Sequence, residues 1–438
     1  MFRLPRACFS TCCGALTVAW ACVLPCRAET DMPRYRFAFG QAFVYETKRD
    51  GTAEGTIAER LHVWVVEARD TGGWRLLLRK EPFTDGAVDA SRVTLAYLDI
   101  EPDGSVAANP TISLLMPPRN YFPKLPGTPA ELVTGWKEYD PVLDLASSYL
   151  SLPDADGSAC TVTGSMVEGG STTRRYGWDA ALGTVAKISF FTGRETILAS
   201  SSTLASAAAV ALGRDAVAYF QAVGDHSRRL DAAIRMPNAE ATRESLAAGR
   251  RAFGEVVQTI QSPEVATVAQ ATLAGLEAEA EAVCKPGGIR ERTSRVLGKP
   301  LGDWEATDLD GRRHAAEDYR GKIVVADFWF RSCPYCILAM PQVKAVAARF
   351  RGRPVEVLGM NVDENVDDAR FMVDSVGMPW PTLQAKSLEG LFHVRDFGCP
   401  SIFVIDGAGV VRSVRVGYSA TLCEDLGAEV EALLTVQP

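Results

Sequence analysis

The sequence predicts a multidomain chain with an N-terminal β-rich domain, a helical segment and a C-terminal α/β domain. Three observations carry this. Short runs of alternating apolar residues, separated by turn signals, fill residues 29–202. Alanine becomes dense and apolar residues take helical spacing over 203–284. From Val296 onward strand-like and helix-like stretches alternate around Cys333-Pro334-Tyr335-Cys336. The boundaries drawn are 1–28 for a signal peptide, 29–202, 203–284, a linker at 285–295, and 296–438. A length of 438 residues suits two or three domains, and 47% hydrophobic residues suffice for sizeable cores.

The N-terminus reads as an export signal. Arg3 and Arg6 form a basic start, Gly14 to Leu24 an apolar run too short to span a bilayer, and Cys26-Arg27-Ala28 a cleavage site. A lipoprotein reading at Cys22 or Cys26 fits poorly, because Trp20 and Pro25 stand where small residues are wanted. The expected location is therefore outside the cytoplasm, in a periplasm or cell envelope. A net charge of −8 argues against a nucleic-acid surface, and losing 1–28 removes three arginines and no acids. Of 11 cysteines, six lie beyond residue 28: Cys160, Cys284, Cys333, Cys336, Cys399 and Cys423. An oxidising compartment permits structural disulfides, and the four outside the C-x-x-C allow three pairings that sequence does not resolve.

In the β-rich part, Tyr35, Phe37 and Phe39 alternate, as do Phe43 and Tyr45. Leu61–Glu67 and Trp74–Arg79 flank Asp70-Thr71-Gly72-Gly73, a hairpin signal. Val93–Ile100 precedes the turn Pro102-Asp103-Gly104. The proline-rich stretch Asn109 to Pro129 reads as irregular, and strands resume at Thr161–Met166, Thr172–Trp178 and Thr184–Phe191. Trp64, Trp74, Trp136 and Trp178 read as core or sheet-face residues. Next, Pro237-Asn238 punctuates the helical segment and Ser262-Pro263-Glu264 opens a helix with an N-cap and an N1 proline. Lys285-Pro286-Gly287-Gly288 reads as a linker, and Arg290–Arg295 as a solvated charged run.

The C-terminal pattern gives strands at Ile323–Phe330 and Val355–Val362, and helices at 334–350 and Val366–Val376. A short helix at Leu388–Phe397 follows, then a hairpin of Ile402–Ile405 and Val410–Val416 around Asp406-Gly407, and a closing helix at Leu422–Leu434. Cys333 falls at a strand-to-helix junction. There unpaired backbone N–H groups and the positive dipole end favour a thiolate. Cys336 is one turn on and within reach of a disulfide. A zinc site is disfavoured, since there is no second C-x-x-C and no H-x-x-x-H. No metal ligand set is assigned.

The segment "DFWFRSCPYC" resembles the active-site segment of thioredoxins. The longer frame, from "GDWEATDLDGRRHAAEDYRGKIVVADFWF" through "CPYCILAMPQV" to "GCPSIFVIDGAGVV", resembles the envelope thiol-disulfide oxidoreductases of the TlpA/ResA type. The resemblance covers roughly the last 140 residues. It implies a thioredoxin-like α/β domain, with Cys333 as nucleophile, Cys336 as resolving thiol and Asp327 as the buried acid that assists proton transfer. It also puts Pro400 where this fold places a cis-proline facing the dithiol. Trp329, Pro334 and Tyr335, with Pro400 and Cys399, are the expected substrate contacts. Cys399 departs from the usual Val or Thr, and reads either as a small apolar filler or as a third redox thiol or metal-trapping group. Ala339 stands where many relatives carry a Glu, Ser332 replaces a common Trp, and Cys-Pro-Tyr-Cys itself is the glutaredoxin sequence. Cys333 is expected to be the more exposed thiol and Cys336 the buried one. His314 and His393 read as surface or packing residues.

These features predict an exported thiol-disulfide oxidoreductase that reduces or exchanges protein disulfides. It would need no cofactor beyond the redox-active Cys333–Cys336 disulfide, and a membrane-bound electron donor is a possible partner. The alternative is an envelope binding or scaffold protein whose thioredoxin-like domain is accessory. A peroxiredoxin-type peroxidase is disfavoured, because Phe330 and Ala326 stand where Pro-x-x-x-Thr-x-x-Cys needs Thr and Pro.

Overall fold

The computed structural model describes residues 32–48, 56–106, 121–140, 145–153, 160–165, 174–190, 193–419 and 421–436. The expected signal, the stretch 109–120, Met166 and residues 172–173 lie outside them. Eleven strands among the described residues form one antiparallel sheet. They are β1 (Gln41–Lys48), β2 (Ile57–Ala68), β3 (Trp74–Thr84), β4 (Ala87–Val88), β5 (Thr94–Ile100), β6 (Trp136–Asp140), β7 (Leu145–Pro153), β8 (Cys160–Ser165), β9 (Arg174–Asp179), β10 (Thr184–Phe190) and β11 (Glu195–Thr203). A one-turn helix, α1 (Glu131–Thr134), precedes β6. The order is β4-β3-β2-β1-β11-β10-β9-β8-β7-β6, with β5 on β3.

Alternation along β2 puts its residues on two faces. Leu61, Val63 and Val65 join Tyr35, Phe37, Phe43, Tyr45 and Phe122 in an aromatic-rich core. Trp64 and Val66 point the other way, with Leu77, Leu95 and Tyr97. Three helices cover that second face: α2 (Ser206–Ile234), α3 (Ala239–Thr259) and α4 (Pro263–Cys284). Asn238 caps α3 by accepting from Ala241 N. Ser262 was expected to cap α4 through its side chain, but that hydroxyl makes no capping bond. Instead the buried carboxylate of Asp215 on α2 accepts from Gln261 N at 2.8 Å, Ser262 N at 2.7 Å and Ser262 Oγ at 2.6 Å.

The stretch expected as a linker carries a helix, α5 (Ile289–Val296). Ile289, Thr293 and Val296 recur at helical spacing, so one side of the charged run is apolar, and Thr293 and Val296 are buried. Arg292 donates to the Asp396 carbonyl.

Next come the short hairpin β12 (Glu305–Thr307) and β13 (Arg313–Ala315), then β14 (Ile323–Trp329), α6 (Pro334–Arg349), β15 (Val355–Asn361), α7 (Val366–Val376), β16 (Thr382–Gln384), α8 (Val394–Phe397), β17 (Ser401–Ile405), β18 (Val411–Val416) and α9 (Leu422–Val436). The expected helix at Leu388–Phe397 is split. A 3₁₀ turn ends at Leu388, and α8 starts only after His393, whose φ of 54° interrupts the helix. The sheet order is β16-β15-β14-β17-β18, with β14, β15 and β16 parallel and β17 and β18 antiparallel. Every residue of β14 is buried, because both faces are covered. Val325, Trp329, Ile402 and Val404 lie with Met340, Val343 and Val346 of α6. Val324, Ala326, Phe328 and Phe403 lie on the opposite face with Phe392 and Phe397.

The two sheets are not independent bodies. Leu338 of α6 is buried in the N-terminal aromatic core, against which Tyr418 also packs. Arg415 of β18 bonds Asp231 of α2 at 2.7 Å and Glu429 of α9 at 2.8 Å. Arg235 pairs with both Asp231 and Glu429.

Candidate functional site

The site begins where β14 ends. After Trp329 the chain turns, Cys333 N donating to the Phe330 carbonyl at 3.1 Å, and enters α6 at Pro334. Pro334 occupies a first-turn position, where its missing N–H is no loss. Cys333 is the N-cap, and its Sγ accepts from Cys336 N at 3.2 Å. The pair is disulfide-bonded, with an S–S distance of 1.98 Å and Cα atoms 5.3 Å apart. The helix therefore offers unpaired backbone donors to the sulfur at its head. Pro341 sits inside α6, and its ring removes the bond that the Ile337 carbonyl would receive.

The expected contrast in exposure between the two sulfurs is absent. Cys333 is 2% and Cys336 1% exposed. In the disulfide form Cys333 Sγ turns back toward the helix backbone, and both residues join the cluster of Met340, Val343 and Trp329. Tyr335, by contrast, is half exposed, and Pro334 is exposed.

Asp327 lies on the α6 face of β14, between Gly359 of β15 and Ile402 of β17. It is 2% exposed, its Oδ1 has no hydrogen-bond partner, and burial raises its carboxyl to about 7. Such a group can take up or release a proton near neutral pH. The Cys399–Pro400 peptide is cis. Pro400 is buried, and its carbonyl accepts from Gly417 N at 2.8 Å. Cys399 is a free, half-buried thiol against the cluster that holds the dithiol. Burial first, then the nearby Asp327 charge, pushes it up to about 12, so it stays protonated at neutral pH. Cys284 and Cys423 are also free, and no disulfide joins either of them to Cys399. The side chain of Cys160 lies outside the described residues.

Trp329, expected among the substrate contacts, is fully buried in the core beneath the site. Its odd-numbered place on β14 turns it inward with Asp327, away from solvent. His314 bonds Asp308 at 2.9 Å and Tyr319 at 2.6 Å, a packing role, while His393 is exposed. Among the described residues no cluster of His, Cys, Asp or Glu could hold a metal ion.

Sequence reasoning missed several neighbours of the dithiol. Arg331 is anchored by its backbone N–H to Asp363 Oδ2 at 2.8 Å, and its guanidinium lies 4.3 Å from the Phe371 ring centroid. Gln342 donates to the Ser419 carbonyl and accepts from Cys423 N, both at 3.0 Å, tying α6 to the loop before α9 and to the first turn of α9. Trp380 and Thr382 reach the underside of the site from β16 and the residues before it. The residues they pack near are distant in sequence, so no local spacing marks them.

The AhpC/TSA family model matches residues 297–414. The thiol-disulfide oxidoreductase ResA of Geobacillus thermodenitrificans is 28% identical over 143 residues, 33% of this chain and 81% of that protein. ResA of Bacillus anthracis is 25% identical over 133 residues, 30% of this chain and 76% of that protein. A solved structure of a secreted Mycobacterium tuberculosis disulfide oxidoreductase homologous to E. coli DsbE is 22% identical, covering 30% of this chain and 96% of that one, with a TM-score of 0.27. With a bonded Cys333–Cys336 pair at the head of α6 in the matched region, the C-terminal part of this chain is an AhpC/TSA thioredoxin-like domain related to the ResA thiol-disulfide oxidoreductases, about a third of the whole.

Proposed function

We propose that the chain is an exported thiol-disulfide oxidoreductase that reduces or exchanges disulfides of protein substrates in a periplasm or cell envelope. The observation that carries this is the bonded Cys333–Cys336 pair at a helix N-terminus above a buried, unpartnered Asp327. In the reduced form the Cys333 thiolate attacks a substrate disulfide, forming a mixed disulfide and releasing one substrate thiolate. Cys336 then loses its proton to Asp327 and attacks Cys333 Sγ. The second substrate sulfur leaves as a thiolate and is protonated, and the enzyme is left with the disulfide of the present structure. Each cycle oxidises the dithiol by two electrons, so a thiol reductant, for which a membrane-bound donor is the natural source, must restore it. Pro334, Tyr335, Cys399 and Pro400 form the edge on which an extended substrate segment lies. Trp329 serves from beneath.

Residues 1–28 act as the export signal in this reading, and the units 29–202 and 203–284 present substrates to the unit 296–438. The burial of Leu338 of the dithiol helix in the N-terminal core supports that coupling. It is also the observation that favours the second reading, a binding or scaffold protein with an accessory redox domain. Insulin reduction by the full chain and by the Cys333→Ser variant tests the proposal. Turnover that needs Cys333 supports it, and an inactive full chain would leave the scaffold reading.

A further inference from the structure

Four buried polar atoms on one face of the C-terminal sheet have no hydrogen-bond partner: Asp327 Oδ1, Trp329 Nε1, Trp380 Nε1 and Thr382 Oγ1. Strand register explains the shared face. Asp327 pairs with Gly359, and Gly359 with Thr382, so the three form a row across β14, β15 and β16. Trp329 lies two residues along β14 on the same face, and Trp380 enters two residues before Thr382. The missing side chain at Gly359 makes room for them. A Cβ there would lie 2.7 Å from Thr382 Oγ1, 3.2 Å from Trp380 Nε1 and 3.3 Å from Trp329 Nε1. Buried polar groups are seldom left unpaired, and each orphan asks for a reason.

The chemistry of the set is complementary. Each indole offers a single N–H and can only donate, and the threonine hydroxyl can donate, whereas an ionised carboxylate can only accept. While Asp327 is protonated it asks little of them. Once ionised it is a buried anion with one unused donor on its own strand and two more across the gap left by Gly359. The other groups facing Asp327 are poor partners. The dithiol on α6 is uncharged when oxidised, Cys399 before β17 is a protonated thiol, and the cluster on this side of the sheet supplies only apolar side chains from α7 and α9, Met372, Leu422 and Leu426 among them.

We propose that Trp329, Trp380 and Thr382 are positioning residues for thiol resolution, donating hydrogen bonds to Asp327 when it ionises and so setting the pH at which it can act as base. The inference rests on the base role given to Asp327 above. It assigns Trp329 a part beneath the site in place of substrate contact.

The direct test is to follow the indole N–H resonances of the full-length oxidised protein, labelled with ¹⁵N-tryptophan, from pH 5 to pH 9. Trp329→Phe and Trp380→Phe assign the two signals. Both should move together with a single midpoint, and both should stay still in Asp327→Asn. Signals that do not move in the unmutated protein, or that move equally in Asp327→Asn, overturn the inference. The functional arm uses Thr382→Val and Thr382→Ser, which fold without disturbing an indole. The pH midpoint of substrate reduction should rise by about one pH unit in Thr382→Val, the scale of one lost hydrogen bond to a charge. It should return in Thr382→Ser, which keeps the hydroxyl. An unchanged midpoint in Thr382→Val contradicts the role of that hydroxyl. If Asp327→Asn reduces insulin as fast as the unmutated chain while the indoles still titrate with Asp327, the base reading fails and the donor network stands.

Discussion

A carboxyl group without a hydrogen-bond partner inside a sheet makes stability depend on pH, and Asp327 is such a group. Unfolded, an aspartate titrates near 3.9. Folded, burial holds Asp327 near 7. Between those values the native chain keeps a proton that the unfolded chain has lost. Stability should therefore fall as pH rises from about 4 to about 7, by about 1.4 kcal/mol per pH unit from this group alone, and level off above. Asp327→Asn removes the dependence. Denaturant melts should show the variant gaining on the unmutated chain with rising pH and the more stable of the two at pH 8. Equal differences at pH 4 and pH 8 would mean that Asp327 is not the titrating group. At the dithiol itself, Pro334 takes a backbone N–H from the turn and Tyr335 is bulky, as in glutaredoxins. Titration in glutathione buffers should place the Cys333–Cys336 pair at about −200 to −230 mV, and a value at or below about −270 mV would refute this. The dithiol was legible from its local spacing, and Asp327 and Pro400 from the resemblance of the longer frame. The places of Trp380 and Thr382 were not, because the sheet brings them to the face of Asp327 from more than fifty positions away.

At the scale of elements, β14 and α6 could be read directly, since an apolar run followed by cysteines and helical periodicity leaves little choice. The start of α4 was read correctly from Ser262 and Pro263, but the group that caps it was not. Asp215 reaches it from α2, and sequence gives no sign of a cap supplied 47 residues away. Asp215→Ala leaves two backbone donors and a hydroxyl unpaired, and should cost about 1–3 kcal/mol, measured as a lowered denaturant midpoint. A change within about 0.5 kcal/mol, the range of ordinary surface substitutions, would show that solvent replaces the cap. The helix in the expected linker is masked in the sequence by its charged composition and shows only in the spacing of Ile289, Thr293 and Val296. Gly359→Ala tests the close approach of strands and indoles. Its Cβ would press on Thr382 and both tryptophans, costing about 1–3 kcal/mol by overpacking.

Across the whole molecule, more than half of the chain precedes the thioredoxin-like domain and is joined to it by side chains as well as by α5. Arg415 is 11% exposed and serves Asp231 and Glu429 together. Removing it leaves two carboxylates to share Arg235 alone in a half-buried junction. Arg415→Ala should thus lower the unfolding midpoint and raise proteolytic cleavage near residues 285–300, with the dithiol still intact. Unchanged cleavage would show that the ion pairs do not hold the two parts together. The sequence foretold three structural units but not their contact, because an interface between sheets leaves no periodic mark. The central claim, that Cys333 attacks a disulfide and Cys336 resolves it, is tested most directly in the full-length Cys336→Ser variant. Reduced, mixed with a disulfide-bonded protein and quenched by alkylation, it should accumulate a mixed disulfide whose cross-linked peptide, read by mass spectrometry, contains Cys333. A cross-link through Cys284, Cys399 or Cys423 in its place, or no cross-link at all, would contradict the account.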